Sequence, residues 1–321
     1  MTAPLVSILI PVYNRADIVS ETVQSALAQT YANIEVVIVD NCSTDTSWDV
    51  ITRLAAGDAR IRAFRNDSNV GPVGNWGKCF EHARGQYGKI LFSDDLLLPH
   101  AVTRYMAAMT PQCAFVVSAA MIGPSLERAR LAYRWQEADG TYPAQRFIDQ
   151  ALLGDATPLS PCAALFRLAD LRQHLHGRLP GTALDFSMHG AGPDVLLYLL
   201  TAAAYPHVAF VAEALVFFRA HEGSLSVAPA TSTKVTQAYC KTKVWFANHY
   251  QHLVDFDQVV VRAWLTYASV DPGRPSFQAF YSELDPVYRG TIARAHALRL
   301  VWAVRSRVGA AKRAVLRRQA A

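Results

Sequence analysis

The sequence lacks acidic residues over its last 33 positions, where nine lysine and arginine side chains give a net charge of +9. The full chain of 321 residues carries a net charge of +5, so the preceding 288 residues carry −4. An overall basic charge would suggest nucleic acid as a partner, but here the basic groups are confined to the C-terminal end. We therefore expect a mildly acidic body that does not bind nucleic acid.

Closely spaced cysteines and long uninterrupted apolar segments are also missing. The five cysteines are odd in number and widely separated, which argues against a disulfide framework or a zinc site and favours the cytoplasm. The apolar residues 5–10 end at Pro11 and lack the basic flank and cleavage pattern of a signal peptide. The longest apolar stretch, residues 195–218, is interrupted by Pro206 and Glu213. Its uninterrupted part is too short to cross a bilayer, so we expect no membrane-spanning helix.

The sequence has neither of the common glycine-rich loops that bind nucleotide phosphates. No Gly-x-Gly-x-x-Gly follows the first apolar segment, and no Gly-Lys-Ser/Thr of the P-loop type occurs. This argues against redox chemistry with a dinucleotide and against ATP hydrolysis by a P-loop enzyme.

What the sequence does contain is an alternation of apolar strands and amphipathic helices. Strands are predicted at residues 6–10, 34–39, 61–64 and 89–92, and helices at 18–29 (capped by Asp17), 46–56 and 75–84. This order predicts an α/β fold with a parallel sheet and right-handed crossovers. Beyond residue 110 the pattern is looser. Strands are predicted at 113–118, 160–166 and 207–218, a hairpin or further strands over 121–135, and helices at 145–153 and 193–204.

A change in composition divides the chain near residues 227–233, where Ala, Pro, Ser and Thr cluster. We expect a first domain over residues 1–228, made of a half at 1–110 and a half at 111–228. A helical C-terminal region is expected over residues 229–321.

Polar residues follow three of the predicted strands. Tyr13, Asp40 and Asp94 lie at carboxyl ends of strands, where ligands bind in open α/β sheets. Burial of the adjacent Asp94 and Asp95 carboxylates is costly unless a cation such as Mg²⁺ or Mn²⁺ neutralises them. A helix start is the alternative for this pair, because acidic residues also favour the helix dipole there. Asp40 is consistent with a hydrogen bond to a ribose or base and equally with capping of the next turn.

These segments together resemble the nucleotide-binding half of the family 2 glycosyltransferases. The resemblance is carried by short motifs in the family's order: VSILIPVYN at 6–14, ALAQTY at 26–31, IEVVIVDN at 34–41, STD at 43–45, NVG at 69–71, ARG at 83–85 and SDD at 93–95. It is strong over residues 4–110 and continues more weakly to residue 226. It implies a GT-A fold, which is a Rossmann-like, mostly parallel central sheet flanked by helices, here with a C-terminal helical extension.

The resemblance implies inverting transfer of a sugar from a nucleotide-diphosphate donor, with UDP favoured and TDP, GDP and CDP left open. Tyr13 would pack on the base, and Asp40 would hydrogen-bond the base or the ribose. The implied donor site comprises Pro11, Val12, Tyr13, Asn14, Asp40, Asn69, Ser93, Asp94 and Arg219.

The implied metal is Mn²⁺ or Mg²⁺, held by Asp94 and Asp95, with Asp95 the more direct ligand. His221, in the segment Phe-Arg-Ala-His, resembles a family histidine that ligates the metal or contacts the diphosphate, and Arg219 would assist the leaving group. Phe92 stands where the family often has another acidic residue, so a ribose or metal contact there is lost or supplied elsewhere.

Asp194 is the predicted general base, because Gly192-Pro-Asp194 opens an apolar helix where the family usually has Glu-Asp. Pro193 replaces the glutamate and is well tolerated in a first helical turn. A simple helix cap is the alternative role for Asp194. Asp185 is the reserve candidate for the base.

The C-terminal residues 290–318 form a basic amphipathic helix pattern that contains Trp302. Such a helix suits an anionic membrane surface, which would place the enzyme peripherally on the inner face of the cytoplasmic membrane. The alternative is a helix that docks on the rest of the protein and leaves its charges solvated. Membrane contact would fit a lipid-linked glycan acceptor, as in the synthesis of surface polysaccharide or O-antigen.

Two other functions stay open at the level of sequence. A sugar-phosphate nucleotidyltransferase has a related sheet, but the segment after the first predicted strand, residues 11–15, lacks the glycines of that class. A non-catalytic protein that binds nucleotide sugars is the second alternative, because Phe92 and Pro193 each replace an expected acidic residue.

Overall fold

The computed structural model describes residues 3–136, 138–154, 157–182, 184–187, 190–220, 233–270, 273, 276, 297–298 and 300–301. The chain divides into two compact units, Met1–Thr231 and Ser232–Ala321. In the second unit, the helices Thr233–His249 and Phe256–Val270 are described, and they pack against each other. No helix among the described residues is long and apolar enough to cross a membrane. The predicted amphipathic helix at 290–318 lies almost entirely outside the described residues.

The first unit is built on one sheet. Its described strands are β1 (Val6–Val12), β2 (Ile34–Asp40), β3 (Ile61–Arg65), β4 (Tyr87–Ile90), β5 (Leu96–Leu97), β6 (Cys113–Gly123), β7 (Arg130–Ala132), β8 (Gly140–Pro143), β9 (Ala164–Arg167) and β10 (His207–Arg219). The main path runs in the order β3-β2-β1-β4-β9-β6-β10-β5, with β7 paired to β6 and β8 paired to β10. The first four strands of this path are parallel, as are β6 and β10, whereas β9 is antiparallel to both of its neighbours. The predicted α/β fold is confirmed.

Helices cover the sheet of the first unit. They are α1 (Val19–Leu27), α2 (Ser47–Gly57), α3 (Gly71–His82), α4 (Ala101–Ala108), α5 (Ala144–Leu153), α6 (Leu168–His174) and α7 (Pro193–Ala203). β1 and β2 have buried residues at nearly every position, because helices shield both faces of a parallel sheet. Their register sets Val12 opposite Asp40, so the two strands end at the same edge.

Some details differ from the sequence predictions. α1 begins at Val19 after Ile18, and no side chain caps it, so the predicted cap by Asp17 is wrong. The Arg15 carbonyl accepts hydrogen bonds from the first turn instead, at 3.2 Å from Ile18 N and 2.9 Å from Val19 N. The predicted strand at 160–166 begins only at Ala164, after a short 3₁₀ helix.

The amino-terminal edge of the sheet holds a buried carboxylate, Glu35, at the start of β2. Its Oε1 atom accepts hydrogen bonds of 2.6 Å from the Ser7 hydroxyl and 2.6 Å from the Arg84 main-chain N–H. Its Oε2 atom lies 2.9 Å from Nη1 of Arg62. Burial raises the pKa of Glu35, but these hydrogen bonds outweigh burial and leave the pKa below its usual value.

Candidate functional site

A cavity of about 410 Å³ lies at the carboxyl ends of β1, β4 and β10. Eight of the predicted site residues line it: Pro11, Val12, Tyr13, Asn69, Ser93, Asp94, Asp95 and Arg219. Nine further lining residues were not predicted as site residues: Arg15, Asn41, Gly71, Pro72, Asn75, Trp76, Phe92, Ser160 and Phe218. The structure therefore brings residues from six separate segments of the chain to one place.

The turn that carries Asp94 and Asp95 is fixed by α1 and β10. The buried Thr22 hydroxyl of α1 lies 3.0 Å from the Ser93 carbonyl and 2.9 Å from the Asp95 carbonyl. The Arg219 main-chain N–H donates a 3.1 Å hydrogen bond to Oδ1 of Asp95. Because both neighbouring elements hold the turn, the two carboxylates have defined positions at the cavity.

The Asp95 carboxylate is short of positive charge. Its side chain is buried, and burial together with the neighbouring Asp94 charge raises the pKa of Asp95 to about 8. One cation lies beneath it: Lys89 is fully buried, and its ammonium donates hydrogen bonds to the Ile90 and Cys162 carbonyls. Burial lowers the pKa of Lys89, because removal from water disfavours the charged ammonium.

This pair of carboxylates suits a hard divalent cation. The described residues contain no group of three or more His, Cys, Asp or Glu side chains that could hold a metal. Mg²⁺ and Mn²⁺ need no such cage when one or two carboxylates, water and substrate phosphate complete the coordination. The donor set at Asp94 and Asp95 and the raised pKa of Asp95 are therefore consistent with a metal shared with a phosphorylated ligand.

A network of asparagine side chains shapes the opposite wall of the cavity. Asn41 donates from Nδ2 to Oδ1 of Asn69 at 2.9 Å, and its own Oδ1 accepts from Asn66 at 2.9 Å and from the Val70 N–H at 3.0 Å. Asn75 of α3 donates to the Val39 carbonyl at 3.1 Å. The network ties the loop before α3 to the ends of β1 and β2.

Asn14 connects the loops after β1 and β2 and does not line the cavity. Its main-chain N–H donates to Ser43 Oγ at 2.9 Å, and its Oδ1 accepts from the Thr44 N–H at 2.9 Å. Asn14 and Cys42 both have left-handed backbone conformations, with φ of 50° and 60°. This conformation is uncommon outside glycine, and the connection between the loops compensates for it.

Asp40 is fully buried and also lies outside the cavity lining. Its carboxylate accepts hydrogen bonds from the Ser43 hydroxyl and from the Ser43 N–H, the latter at 3.1 Å. Nε of Arg65 lies 3.1 Å from Oδ2 of Asp40. Of the two roles that the sequence left open, these contacts favour the organisation of the turn after β2.

Asp194 is the second residue of α7 and is half-buried. Its Oδ1 atom accepts from the Val195 N–H at 2.8 Å and from the Gly192 N–H at 3.2 Å, so the carboxylate caps the helix start. The negative charge of Asp194 contributes to raising the pKa of Tyr133, after burial and the charge of Asp95. Asp194 and Asp95 thus both act electrostatically on Tyr133, although Asp194 is not among the residues that line the cavity.

Asp185 has a different environment, because it forms an ion pair at the surface. Nε of Arg178 lies 3.1 Å from Oδ2 of Asp185, and the Ser187 N–H donates to Oδ1 at 2.8 Å. These Ser187 contacts are the largest cause that lowers the pKa of Asp185. The last predicted residue, His221, lies outside the described residues.

Aromatic rings also line the cavity. The ring centroids of Trp76 and Phe92 lie 5.4 Å apart, and Phe218 makes a T-shaped contact of 5.5 Å with Tyr133, which is not a lining residue. Phe92 thus contributes packing at the position where the resemblance implied an acid. Phe92 directly precedes the predicted Ser93, and Arg15 directly follows the predicted Asn14. This adjacency could have identified both as lining residues.

Comparison of the sequence with known proteins identifies glycosyltransferases. The model of the family described as "Glycosyl transferase family 2" matches residues 7–175. The chain is 38% identical over 111 residues to UDP-Glc:alpha-D-GlcNAc-diphosphoundecaprenol beta-1,3-glucosyltransferase WfaP of Escherichia coli, covering 35% of this chain and 43% of that protein. It is 35% identical over 113 residues to the putative teichuronic acid biosynthesis glycosyltransferase TuaG of Bacillus subtilis, covering 35% and 45%. The chain thus spans less than half the length of these curated relatives.

Solved structures share the fold. The structure of S. aureus TarS 1-349 in complex with UDP-GlcNAc matches with a TM-score of 0.61 at 15% identity, over 88% of this chain and 79% of that one. The mannosyltransferase PcManGT of Pyrobaculum calidifontis, in complex with GDP-Man and Mn²⁺, matches with a TM-score of 0.51 at 15% identity, over 95% and 81%. At these identities, the comparison supports the fold alone.

Proposed function

The chain belongs to glycosyl transferase family 2, and on that premise we propose that it transfers a sugar from a nucleotide-diphosphate donor to a hydroxyl group of a glycan or lipid-linked glycan. The observation that carries the proposal is the Asp94–Asp95 turn, in which Asp95 is buried and which lines a cavity together with two arginines, Arg15 and Arg219. Adjacent carboxylates suit a divalent metal, and arginines suit phosphate. A nucleoside diphosphate with a divalent cation satisfies both.

Asp94 and Asp95 would hold Mn²⁺ or Mg²⁺ together with the diphosphate. When bound, the metal would stabilise the negative charge that develops on the departing diphosphate. His221 is proposed as a further ligand on the resemblance alone. The metal complex of the mannosyltransferase PcManGT is consistent with this cofactor.

The chemical step that we propose is a direct displacement at the anomeric carbon, with inversion. The bond from that carbon to the β-phosphate oxygen breaks, and its electron pair stays on the oxygen. The new bond forms from the acceptor hydroxyl oxygen, whose proton passes to the carboxylate of Asp194. Asp194 suits this role better than Asp185 does, because hydrogen bonds lower the pKa of Asp185 and hold it in a surface ion pair.

UDP is the proposed nucleotide. WfaP is named for a UDP-glucose donor, and a TarS structure holds UDP-GlcNAc. Pro11, Val12 and Tyr13 would form the base pocket. All three line the cavity, and Tyr13 is 42% exposed, so its ring is accessible for stacking.

The proposed context is surface-polysaccharide synthesis on the cytoplasmic side of the membrane. WfaP is named for a diphosphoundecaprenol-linked acceptor and TuaG for teichuronic acid. The basic residues 290–318 would bring the enzyme to an anionic membrane that carries such an acceptor. Deletion of residues 290–321 should then reduce binding to anionic liposomes, and unchanged binding would refute this part.

Calorimetry with UDP, TDP, GDP and CDP, with and without Mn²⁺, tests the donor proposal. We expect one nucleoside diphosphate to bind in a metal-dependent manner, and a panel of its sugar conjugates then identifies the donor. Absence of binding by all four nucleotides would refute the function. Binding with no transfer or hydrolysis of any sugar conjugate would favour a non-catalytic sugar-nucleotide-binding protein.

A further inference from the structure

Arg15 lines the cavity beside Asp94, and one of its polar atoms has no partner among the described residues. This atom, Nε, is buried and makes no hydrogen bond to the described part of the chain, although the side chain as a whole is 29% exposed. A buried N–H donor without an acceptor is unfavourable, because no hydrogen bond compensates for its loss of contact with water. Because Arg15 lines the cavity, a ligand bound there can supply the missing acceptor once the guanidinium turns toward it.

The backbone at Arg15 is fixed on both sides, so its side chain starts from a defined position. Its main-chain N–H donates to Ser47 Oγ at 2.7 Å, and its carbonyl accepts from the first turn of α1. Within the side chain, Nη1 donates to the Asn14 carbonyl at 3.0 Å. This contact occupies Nη1 and does not involve the other edge of the guanidinium, which is formed by Nε and Nη2.

The Nε–Nη2 edge is incompletely used within the protein. Nη2 of Arg15 lies 3.6 Å from Oδ2 of Asp94, which is a charge contact but too long for a hydrogen bond. Arg219, the other cationic residue among those lining the cavity, is engaged differently. It donates from Nε to the Asp94 carbonyl at 3.1 Å and from Nη2 to Glu21 at 2.6 Å.

We propose that the Nε–Nη2 edge of Arg15 binds two oxygens of the donor's diphosphate. The inference rests on the proposed function and adds a residue to it. Parallel N–H groups of a guanidinium match phosphate oxygens in a bidentate manner, which an ammonium cannot reproduce. Arg15 then stabilises the charge that develops on the leaving diphosphate together with Arg219, which in addition holds the Asp94–Asp95 turn in place.

The test compares Arg15→Gln and Arg15→Lys with the wild type in calorimetry at fixed Mn²⁺. The probes are the tightest-binding nucleoside diphosphate among UDP, TDP, GDP and CDP, its monophosphate and its nucleoside. Arg15→Gln should weaken diphosphate binding by about 10- to 100-fold, weaken monophosphate binding less, and leave nucleoside binding unchanged. Arg15→Lys should recover only part of the loss, because the charge returns without the bidentate edge.

Arg53→Gln is the matched control, since Arg53 is exposed on α2 and does not line the cavity. It should bind all three probes as the wild type does. Unchanged diphosphate binding by Arg15→Gln would overturn the inference, and so would an equal loss for diphosphate and nucleoside. If Arg15→Gln does not fold, Arg15→Lys decides, and diphosphate binding equal to wild type overturns the bidentate contact. Failure of the wild type to bind any nucleotide would instead refute the proposed function.

Discussion

The two edges of the parallel part of the sheet hold buried carboxylates whose pKa values are shifted in opposite directions. At the amino-terminal edge, Glu35 is surrounded by a hydroxyl, a main-chain N–H and Arg62, and its pKa is lowered. At the carboxyl edge, Asp95 is buried to the same extent, but burial and the neighbouring Asp94 charge raise its pKa to about 8. Hydrogen bonds and Arg62 stabilise the charged form of Glu35, whereas the cations near Asp95 do not offset its burial.

We propose that this difference separates residues that stabilise the fold from residues that bind a ligand. Glu35 links β1, β2, β3 and the segment before β4, so its role is structural. Asp95 gains nothing for stability from its burial, since a buried unneutralised carboxylate is unfavourable. Substitutions at the two edges should therefore have opposite consequences for activity and for stability.

The largest effect on activity is expected for Asp95→Asn. The rate of transfer should fall by at least about 1,000-fold, because a ligand of the proposed metal is lost. Such a loss requires about 4 kcal/mol of transition-state stabilisation, since each tenfold change in rate corresponds to about 1.4 kcal/mol. In thermal unfolding, Mn²⁺ with the nucleotide should stabilise the wild type but not the variant. The unfolding temperature of the metal-free variant should not decrease. A large decrease would show that Asp95 is structural and that the comparison between the edges is wrong.

Asp194→Asn should reduce transfer by about 100- to 10,000-fold and leave the Kd of the donor unchanged. Asparagine keeps a side-chain carbonyl oxygen at the same position, so its Oδ1 can keep the bonds to the Gly192 and Val195 N–H groups. The substitution therefore removes the base and retains the cap. Wild-type transfer rates in this variant would assign Asp194 to capping alone.

Glu35→Gln should change stability and leave transfer at wild-type rates. We expect the free energy of unfolding to fall by about 1–3 kcal/mol at pH 7, because a buried hydrogen-bonded charge is lost. The folded-state pKa of Glu35 is lowered, so its contribution is present above the unfolded pKa of about 4.3 and is lost as pH falls through the folded value. In urea unfolding at several pH values, the free energy of unfolding of the variant should therefore decrease less than that of the wild type as the pH falls below about 4.3. An equal decrease in both proteins would contradict this assignment.

The smallest effect is expected for Asp185→Asn. Its ion pair with Arg178 lies at the surface, and such pairs contribute little. Transfer should stay within about twofold of wild type. A loss of transfer rate comparable to that of Asp194→Asn would identify Asp185 as the general base instead.

The sequence predicts the first half of the fold well, because buried parallel strands are continuous apolar runs that polar residues end. It does not reveal β5, β8, α4 or α6, which are short elements held by their neighbours in the sheet and the core. The start of α1 was placed at the wrong residue, since the Arg15 carbonyl, and not a side chain, satisfies its first N–H groups.

The candidate site shows the same division. Asp94 and Asp95 could be predicted because they end an apolar strand, and their position at one edge follows from a parallel sheet. The contributions of Trp76, Ser160 and Phe218 depend on how distant segments converge, which local patterns do not encode. The sequence likewise left two roles open for Asp40, and only the contacts of Ser43 and Arg65 favour one of them.

The partial exposure of Cys42 makes the chain suitable for fluorescence measurements with an attached dye. Cys42 is half-buried, whereas the other four cysteines are buried, so a thiol-reactive dye should label this position selectively without any substitution. Its neighbour Asn41 lines the cavity, and the loop is connected to Asn14. A fluorophore at Cys42 would therefore report nucleotide binding in real time, on the native sequence and with no radioactive sugar.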